Sequence, residues 1–446
     1  MKVTKFGGSS LANGDQIRKV FQIIKADPRR KIVVVSAFGK QYPTDVKVTD
    51  LLISYYLDYK NKKNIKKIQE KLVTRFSCVL QELDLKEMTS VITDKIKNLT
   101  ELSLENAYVY DQFLSLGETC SALILTAFFN KNGLTASFVS PKEAGILVER
   151  DSAQATLLPQ ANQKIRLLSK RREILIIPGF FGITQKDEVC TFSRGGSDIT
   201  GAIIAAGLNA ELYENFTDVD GIYAANPNQI ESPVIIEEIT YREMRELATL
   251  GFNVIHHEAL IPVERACVPM VLKNTNHPEL NGTKIVSRWT IDMPLVGVSS
   301  SKGYDLLKVN KYMRNRTASV IRSCFEILEQ LNISVEAMTT GIDDFTILIK
   351  HNPLSEQNEK RLIETIQERL DPDEVRFTKH LAIISAVGEE MRQQTHITSR
   401  ATKALAQKKI KIETLLQGSS EVSLLFVVAE HQENKAVRTL YAEFFD

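Results

Sequence analysis

The chain has 446 residues, which is enough for two to four domains of ordinary size. Its 56 Lys and Arg residues nearly balance its 55 Asp and Glu residues, so it lacks the basic excess needed for broad binding to nucleic acid or anionic membranes. Five cysteines, none in a C-x-x-C pair, argue against a disulfide framework or a structural zinc site and favour the reducing cytoplasm. The N-terminus has no signal-peptide core, and Pro or Gly interrupts the apolar runs before the roughly 20 residues of a transmembrane helix.

The first 290 residues alternate short β-branched runs with helical patterns. Val3 to Phe6 is expected to form a strand, and a glycine turn then leads into a helix that carries Val20, Phe21 and Ile24. Further strands are predicted at 32–35, 174–177, 210–216 and 269–272. Strands separated by helices predict an α/β fold with a largely parallel central sheet and helices on both faces.

Residues 50–130 have a helical pattern without strands. Ile65, Ile68, Leu72 and Phe76 recur at helical spacing, and six lysines lie between residues 60 and 71. These lysines could form a phosphate or nucleic-acid patch, but the solvated face of an amphipathic helix is the commoner use of Lys. We therefore expect a helical insertion whose lysines are exposed.

The last 150 residues contain an internal duplication. A shift of 77 positions places 328–349 on 405–426 without a gap, with Leu348 on Leu425. Each copy reads strand, helix, strand, turn and strand. One face of the helix in the first copy is expected to be apolar: Val320, Phe325 and Leu328. Two such copies predict paired α+β modules after a boundary near 290–300.

Two glycine-rich turns could carry chemistry, although neither a GxxxxGK[ST] nor a GxGxxG fingerprint is present. The first, KFGGSS from Lys5, joins a strand to a helix, where glycines and backbone N–H groups can accommodate a phosphate. A simple tight turn would have the same sequence. In the second, FSRGGSD, Arg194 offers a planar fork that suits a carboxylate. The simpler interpretation is that Ser197 or Asp198 caps the helix expected at 199–206.

Two further segments place acidic residues at the ends of elements. SLGE at 115–118 puts a carboxylate directly after a glycine, and TDVDGIY at 217–223 runs from a strand into a turn. An ordinary Asp-Gly turn would explain the second segment equally well when it is taken alone.

Taken together, these motifs resemble a monofunctional aspartate kinase of the amino-acid kinase family. KFGGSS, VVVSA (33–37), SLGE, SRGGSD (193–198), TDVDGIY and QGSSE (417–421) occur in family order over nearly the whole chain. The resemblance implies an amino-acid kinase catalytic domain at 1–292, with the helical insertion at about 50–130, followed by ACT domains at 300–375 and 376–446. The implied reaction is ATP-dependent phosphorylation of the β-carboxylate of L-aspartate to 4-phospho-L-aspartate, the first step of lysine, threonine and methionine biosynthesis.

The resemblance also implies the site residues. The catalytic residues would be Lys5 and Asp198. The ATP-binding residues would be Lys5, Gly7, Gly8, Ser9, Ser36, Thr217, Asp218, Tyr223, Asn228 and Asn253. The aspartate-binding residues would be Thr49, Glu118, Arg194 and Gly195, with Glu118 on the α-ammonium and Arg194 on the α-carboxylate. The ATP phosphates imply Mg²⁺ as a cofactor, and no protein-bound metal site is expected.

Two features depart from this pattern or invite another interpretation. The family often carries cations at the two ATP-side positions where this chain has Asn228 and Asn253. His256, His257 and Glu258 suggest a metal site, but adjacent histidines point differently on a helix and no further ligand has zinc spacing. A structural role is therefore expected for this cluster.

The ACT pair implies feedback inhibition by an amino acid, lysine first and threonine next, and a homodimer or higher homo-oligomer formed through the ACT domains. Effector contacts are implied for Asn332, Ser334, Val335, Glu336 and Thr340, around the sequence N-I-S-V-E. Ser334 and Glu336 alternate along a strand, so both side chains should point to one face, although Glu336 could be an ordinary solvated carboxylate. The second copy has Lys411 in place of Ser334, and its site is expected to be remodelled or unused.

Two other functions compete with aspartate kinase. One is a kinase of the same fold that acts on glutamate, acetylglutamate or a nucleotide, and the other is a non-enzymatic amino-acid sensor. The intact motif set favours the aspartate kinase. A fused homoserine dehydrogenase is not expected, because the 446 residues contain no dinucleotide fingerprint.

Overall fold

The computed structural model describes the chain except residues 152–153, 193–194, 250–251, 253, 289–293, 313–317, 351–355, 393 and 419–420. The chain divides into two compact units. The first unit comprises Met1–Ile222, Ile235–Arg245 and Asn253–Ile291. The second unit comprises Tyr223–Val234, Glu246–Phe252 and Asp292–Asp446.

The N-terminal two thirds of the chain contain fourteen described strands and ten described helices. The strands are β1 (Lys2–Phe6), β2 (Arg30–Val35), β3 (Ala136–Phe138), β4 (Val148–Asp151), β5 (Gln154–Leu157), β6 (Ile174–Pro178), β7 (Phe181–Ile183), β8 (Val189–Thr191), β9 (Leu212–Thr217), β10 (Ile222–Tyr223), β11 (Ile235–Ile236), β12 (Glu238–Thr240), β13 (Met270–Asn274) and β14 (Thr283–Val286). The helices are α1 (Gly14–Ala26), α2 (Val48–Lys60), α3 (Lys66–Glu82), α4 (Thr89–Asn98), α5 (Val109–Lys131), α6 (Pro141–Ala144), α7 (Ala161–Arg166), α8 (Gly196–Leu208), α9 (Tyr241–Thr249) and α10 (His257–Arg265).

Eight of these strands form one sheet in the order β12-β14-β13-β9-β1-β2-β6-β3. Its neighbouring strands run parallel, except that β13 and β14 are antiparallel. All five residues of β1 are buried, because α8 packs against β1 and β2 while α5 packs against β2 and β6. The predicted α/β architecture is confirmed, and the predicted helical insertion corresponds to α2–α5.

Helix α5 has 23 residues and is apolar and long enough to cross a membrane by length and composition alone. The sequence expectation that no apolar run approaches this length was therefore wrong. Most of the helix is buried inside the first unit, where it packs against β3, β6 and β8. Burial on nearly all sides explains its composition, since a helix surrounded by a core needs no polar face.

The second unit contains a six-stranded sheet with the order β16-β17-β15-β18-β20-β19. Its strands are β15 (Gly297–Asn310), β16 (Val335–Thr340), β17 (Asp344–Lys350), β18 (Glu374–Val387), β19 (Ile412–Gln417) and β20 (Ser423–Ala429). Its helices are α11 (Ala318–Gln330), α12 (Glu356–Leu370), α13 (Ile397–Gln407) and α14 (Glu433–Phe445).

The two long central strands, β15 and β18, belong to both α+β modules. Residues 297–302 of β15 pair with 382–387 of β18, which also pair with β20. The second half of β15 instead pairs with β17 and with the first half of β18. The first module therefore lies within the sequence of the second, and the boundary expected at 375/376 falls inside β18.

The duplication is visible in the backbone. Asn332 and Lys409, which are 77 residues apart, both have a positive φ, +53° and +56°. The strand pairing skips Glu336 and Glu413, which are again 77 residues apart. Each of these residues therefore forms a β-bulge. Because the same local irregularities recur at the same spacing, the two modules are copies of one design.

The ungapped register predicted for the last strands was wrong. Leu348 pairs with Ala337, and Val427 pairs with Thr414, so Val427 rather than Leu425 is the equivalent of Leu348. The turn before β20 is two residues longer than the turn before β17, and the longer turn displaces the register.

The buried stripe of α11 also differs from the prediction. Cys324, Ile327 and Leu328 are buried, whereas Phe325 is 36% exposed. Successive residues of a helix are about 100° apart around its axis. Phe325 comes one position after the buried Cys324, so its side chain points away from the core.

Candidate active site

A cavity of about 680 Å³ lies in the first unit at the carboxyl ends of β1 and β2. Parallel neighbouring strands bring their following turns together at one edge of a sheet, which is where α/β folds bind ligands. The N–H of Ser36 donates to the carbonyl of Phe6 (3.2 Å), and the N–H of Gly7 donates to the carbonyl of Phe216 (3.1 Å). These bonds extend the backbone pairing of the parallel strands into the turns that follow them, and these turns line the cavity.

The glycine turn after β1 is packed too closely for side chains. A Cβ on Gly8 would lie 2.8 Å from the carbonyl oxygen of Ala37, and a Cβ on Gly39 would lie 2.6 Å from the carbonyl carbon of Gly8. The N–H of Gly39 donates to the carbonyl of Gly8 (2.8 Å). Glycine is therefore needed on both sides of this contact, which holds the turn against the segment after β2.

The Lys5 ammonium and the Asp198 carboxylate form an ion pair of 2.6 Å in the cavity wall. Both side chains are largely buried, at 9% and 13% exposure. The side-chain amide of Asn215 donates to the same carboxylate oxygen (2.9 Å). Residues of β1, β9 and α8 thus converge on one hydrogen-bonded charge pair, which fixes the direction of the lysine.

The N-terminus of α8 faces the same cavity, which Gly195, Gly196, Ser197 and Asp198 line. Gly195 is the N-cap with φ +75°, and among the described residues no side chain caps the helix, so the structure does not support the simpler interpretation of Ser197 or Asp198 as its cap. Asp198 instead pairs with Lys5. The uncapped first turn presents backbone N–H groups and the positive end of the helix dipole, both of which favour anions.

Glu118 is a buried carboxyl group on α5 that lines the cavity. A Cβ on Gly117 would lie 2.7 Å from the Cβ of Ala37, so this glycine allows α5 to approach the segment after β2. Burial raises the pKa of Glu118 to about 8, partly offset by the backbone N–H of Ala37, which hydrogen-bonds the carboxylate. Its Oε2 is buried, and no group in the described part of the chain hydrogen-bonds it. A cationic group entering the cavity would supply that partner.

The cavity brings eleven of the predicted site residues together. They are Lys5, Gly7, Gly8, Ser9, Ser36, Thr49, Glu118, Gly195, Asp198, Thr217 and Asp218. Tyr223 and Asn228 belong to the second unit, and Arg194 and Asn253 lie outside the described residues. Their roles stay predictions.

The cavity wall also contains residues that the sequence motifs did not indicate. Lys40, Tyr42 and Lys47 come from the loop between Ser36 and Thr49, and Phe180 follows β6. A usable signal was present, since two lysines lie between two predicted site residues. The loop matches no family motif, however, so the motifs did not indicate its residues.

Among the described residues, no group of three His, Cys, Asp or Glu side chains is arranged to hold a metal ion. The rings of His256 and His257 stack with centroids 4.5 Å apart, and the Cβ of His256 would contact a Cβ on Gly195 at 2.6 Å. The described contacts of His256 therefore include packing against the cap of α8.

The predicted effector residues lie on and before the edge strand β16 of the second unit. Ser334, Glu336 and Thr340 are exposed and alternate with half-buried residues along the strand. Asn332 is exposed in the tight turn that precedes them. The face they share is open at the sheet edge, and their function stays a prediction.

Comparison with known proteins relates this architecture to a family. A sequence profile of the Amino acid kinase family matches residues 1–274, and an ACT domain profile matches 384–444. Aspartokinase 3 of Bacillus subtilis is 45% identical over 448 residues, which covers 100% of this chain and 99% of that protein. The chain belongs to the aspartokinase family.

Solved structures agree with this assignment. The aspartate kinase of Clostridium acetobutylicum, described as an allosteric enzyme, superposes with a TM-score of 0.86 at 32% identity, and the match covers 100% of both chains. Escherichia coli aspartokinase III, solved with aspartate and ADP, gives a TM-score of 0.75 at 22% identity over 100% of both chains, which supports the shared fold. As a member of this family, the chain is an aspartate kinase.

Proposed function

We propose that the cavity at the ends of β1 and β2 is where this aspartate kinase transfers the γ-phosphoryl group of ATP to the β-carboxylate of L-aspartate. The observation that carries this assignment is the convergence of the Lys5–Asp198 pair, the glycine turn and the open N-terminus of α8 on one cavity. All three features attract or accommodate phosphate oxygens. The E. coli enzyme solved with aspartate and ADP has the same fold.

The proposed reaction needs little acid–base catalysis by the protein. The β-carboxylate is already ionised at neutral pH, so its oxygen can attack phosphorus without a general base. Catalysis then rests on alignment and on stabilising charge that spreads over the transferring group. Lys5, held in direction by Asp198, would contact that group, and the N–H groups of Gly7, Gly8 and Ser9 would bind phosphate oxygens.

Glu118 would hold the α-ammonium of aspartate. It is a buried carboxyl group that lines the cavity, and its Oε2 has no hydrogen-bond partner among the described residues, so an ammonium would supply both charge and hydrogen bonds. Thr49 and Gly195 line the same cavity and would contact the rest of the substrate. Arg194, one residue before Gly195, would bind the α-carboxylate.

Mg²⁺ is the metal that this reaction implies, and the cavity has suitable donors. Asp218 lines it, and protein sites usually hold Mg²⁺ through one or two carboxylates together with nucleotide phosphates. We infer that Asp218 would hold the ion beside the phosphates, where the ion supplies charge neutralisation. Thr217 donates from Oγ1 to the Asp218 carboxylate (3.2 Å), which helps orient it. The family resemblance also implies nucleotide contacts for Tyr223, Asn228 and Asn253, and we retain these as part of the proposal.

We also propose an amino-acid effector at β16 and a homo-oligomer formed through the ACT modules. The exposed face of Ser334 and Glu336 offers a hydroxyl and a carboxylate to an ammonium group, with Asn332, Val335 and Thr340 beside them. The E. coli enzyme has been solved with lysine and aspartate, which supports lysine as the first effector to test. The five cysteines are free, which supports a cytoplasmic location.

The test is direct detection of the acyl phosphate. The enzyme is incubated with ATP, Mg²⁺ and L-aspartate, and the product is trapped with hydroxylamine while ADP is measured by a coupled assay. We expect ADP and trapped product in equal amounts with aspartate, and neither with glutamate. ADP formed without trapped product would contradict the proposal, because it would indicate ATP hydrolysis rather than transfer to a carboxylate.

A further inference from the structure

The loop between β2 and α2 forms one wall of the active-site cavity and carries two lysines. Residues 38–47 leave the end of β2, and the N–H of Val48 donates back to the carbonyl of Phe38 (3.2 Å), which closes the loop. Lys40 and Lys47 both line the cavity, and both are exposed. Lys40 donates a long hydrogen bond within the loop, to the carbonyl of Pro43 (3.4 Å).

The charges in the cavity show what these lysines could do. Lys5 is paired with Asp198, so its charge is largely compensated before any substrate binds. In the part of the chain that the structure describes, no carboxylate lies within ion-pairing distance of the Lys40 or Lys47 ammonium groups. A triphosphate carries about four negative charges at neutral pH and Mg²⁺ offsets about two of them, so cations beyond a single paired lysine would strengthen its binding.

The loop is fixed from behind by a buried arginine. Arg75, on α3, donates from Nη2 to the carbonyls of Gly39 (2.8 Å) and Ala12 (2.7 Å), and its Nε lies 3.6 Å from the Asp45 carboxylate. Asp45 in turn accepts from the backbone N–H groups of Gln41 and Val46, both at 2.8 Å. Because Arg75 is only 7% exposed, it acts as an internal support rather than as a ligand-binding group.

The same support reaches the glycine turn. Gly39, whose carbonyl accepts from Arg75, donates its N–H to the carbonyl of Gly8. The residue that follows Gly39 is Lys40, so one hydrogen-bonded chain links Arg75, the loop and the proposed phosphate turn. This connection favours phosphate rather than aspartate as the anion that Lys40 meets.

We propose that Lys40 and Lys47 supply the positive charge that binds the nucleotide polyphosphate, and that Arg75 and Asp45 position the loop that carries them. The proposal rests on the assignment of this cavity as the kinase active site. It commits to the phosphates of ATP and ADP, and aspartate carboxylates are the alternative anion that the experiment must separate.

The experiment compares the KM values for ATP and aspartate in the full-length enzyme. Lys40→Gln and Lys47→Gln should each raise the KM for ATP roughly fivefold, and the double variant roughly 20-fold, with the KM for aspartate within about twofold of wild type. Lys40→Arg combined with Lys47→Arg should restore most of the ATP affinity. Lys71→Gln, which removes an exposed charge from α3 outside the cavity, should behave as wild type.

Two further measurements separate charge from structure. Calorimetric titration with MgADP in the absence of aspartate should show the same loss of affinity, and the salt dependence of binding should be weaker in the double variant than in wild type. Asp45→Asn should raise the KM for ATP about threefold while both lysines and the melting temperature are retained.

Defined outcomes would overturn the proposal. An unchanged KM for ATP in the double variant, or an equal rise in both KM values, would show that these lysines are not phosphate ligands. A fall in kcat alone would also contradict ground-state binding. If wild type made no acyl phosphate, the function assigned to the cavity would fail instead, so the two failures are distinguishable.

Discussion

Glu118→Gln is the sharpest test of the proposal that Glu118 binds the α-ammonium of aspartate. Burial raises the pKa of Glu118 to about 8, so at pH 7 the carboxyl group of the free enzyme is mostly protonated. An ammonium at Oε2 would favour the carboxylate, and binding of aspartate would then release a proton from this group. The KM for aspartate should therefore fall as pH rises, by up to about tenfold per unit well below pH 8, and level off above it.

The size of the effect follows from the same pKa. The pKa of Glu118 rises from the ordinary 4.5 to about 8 in the folded protein. At about 1.4 kcal/mol per pKa unit, this rise corresponds to a free-energy cost of at most about 5 kcal/mol for the ionised group. This burial penalty opposes folding. Because the folded pKa is the higher one, the stability contribution of the group is fully present below about pH 4.5 and is lost as pH rises to about 8. Glutamine carries no charge, so we expect Glu118→Gln to unfold at a higher temperature than wild type at pH 8.

The assay combines initial rates with calorimetry. The KM for aspartate is measured between about pH 6 and 8.5 in both proteins, and proton release is read from binding enthalpies in buffers of different ionisation enthalpy. Glu118→Gln should raise the KM for aspartate roughly 100-fold at pH 8, remove its pH dependence and leave the KM for ATP within about twofold. A variant that kept the wild-type KM for aspartate, or its pH slope, would refute the assignment of Glu118.

Three other substitutions have distinct expected outcomes. Arg194→Ala should raise the KM for aspartate roughly 10- to 100-fold through loss of a bidentate carboxylate partner, and a matching change in the KM for ATP would show the role to be wrong. Lys5→Ala should lower kcat about 100-fold or more, because a cation on the transferring group acts mainly in the transition state, and near-normal turnover would contradict this. Titration of lysine and threonine should inhibit wild type and should inhibit Glu336→Ala at least tenfold less sensitively. Identical inhibition curves would exclude Glu336 from the effector site.

The parts of the fold that follow from local pattern were predictable. The strand at 32–35 and the helical insertion depend on apolar periodicity over several residues, and each residue contributes to the signal. The paired modules were also predictable, because duplication repeats the pattern at a fixed spacing. The register of β20 was not, since two extra residues in a turn leave the periodicity on either side unchanged.

Some residues of the candidate site were likewise predictable from the sequence, and others were not. Lys5, Glu118 and Asp198 lie in motifs, so residue type and order were enough to select them. The loop of Lys40 and Lys47 owes its position to Arg75, which lies on α3 about 30 residues further along the sequence and donates to backbone carbonyls in addition to pairing with Asp45. Such a contact leaves no pattern in the loop itself, and only the folded chain reveals it.

The two copies of the ACT unit differ in a side chain that bears on the proposed effector site. In the second copy, the Lys411 ammonium lies 2.9 Å from the carboxylate of Glu413, the bulge residue equivalent to Glu336. In the first copy Ser334 occupies the position of Lys411, so the equivalent carboxylate has no tethered ammonium from that position. A lysine side chain within the chain thus satisfies one carboxylate, while the other remains exposed to solvent and to any free ammonium ligand. This difference in one side chain is the reason that we expect an amino-acid effector at β16 and a remodelled or unused site at β19.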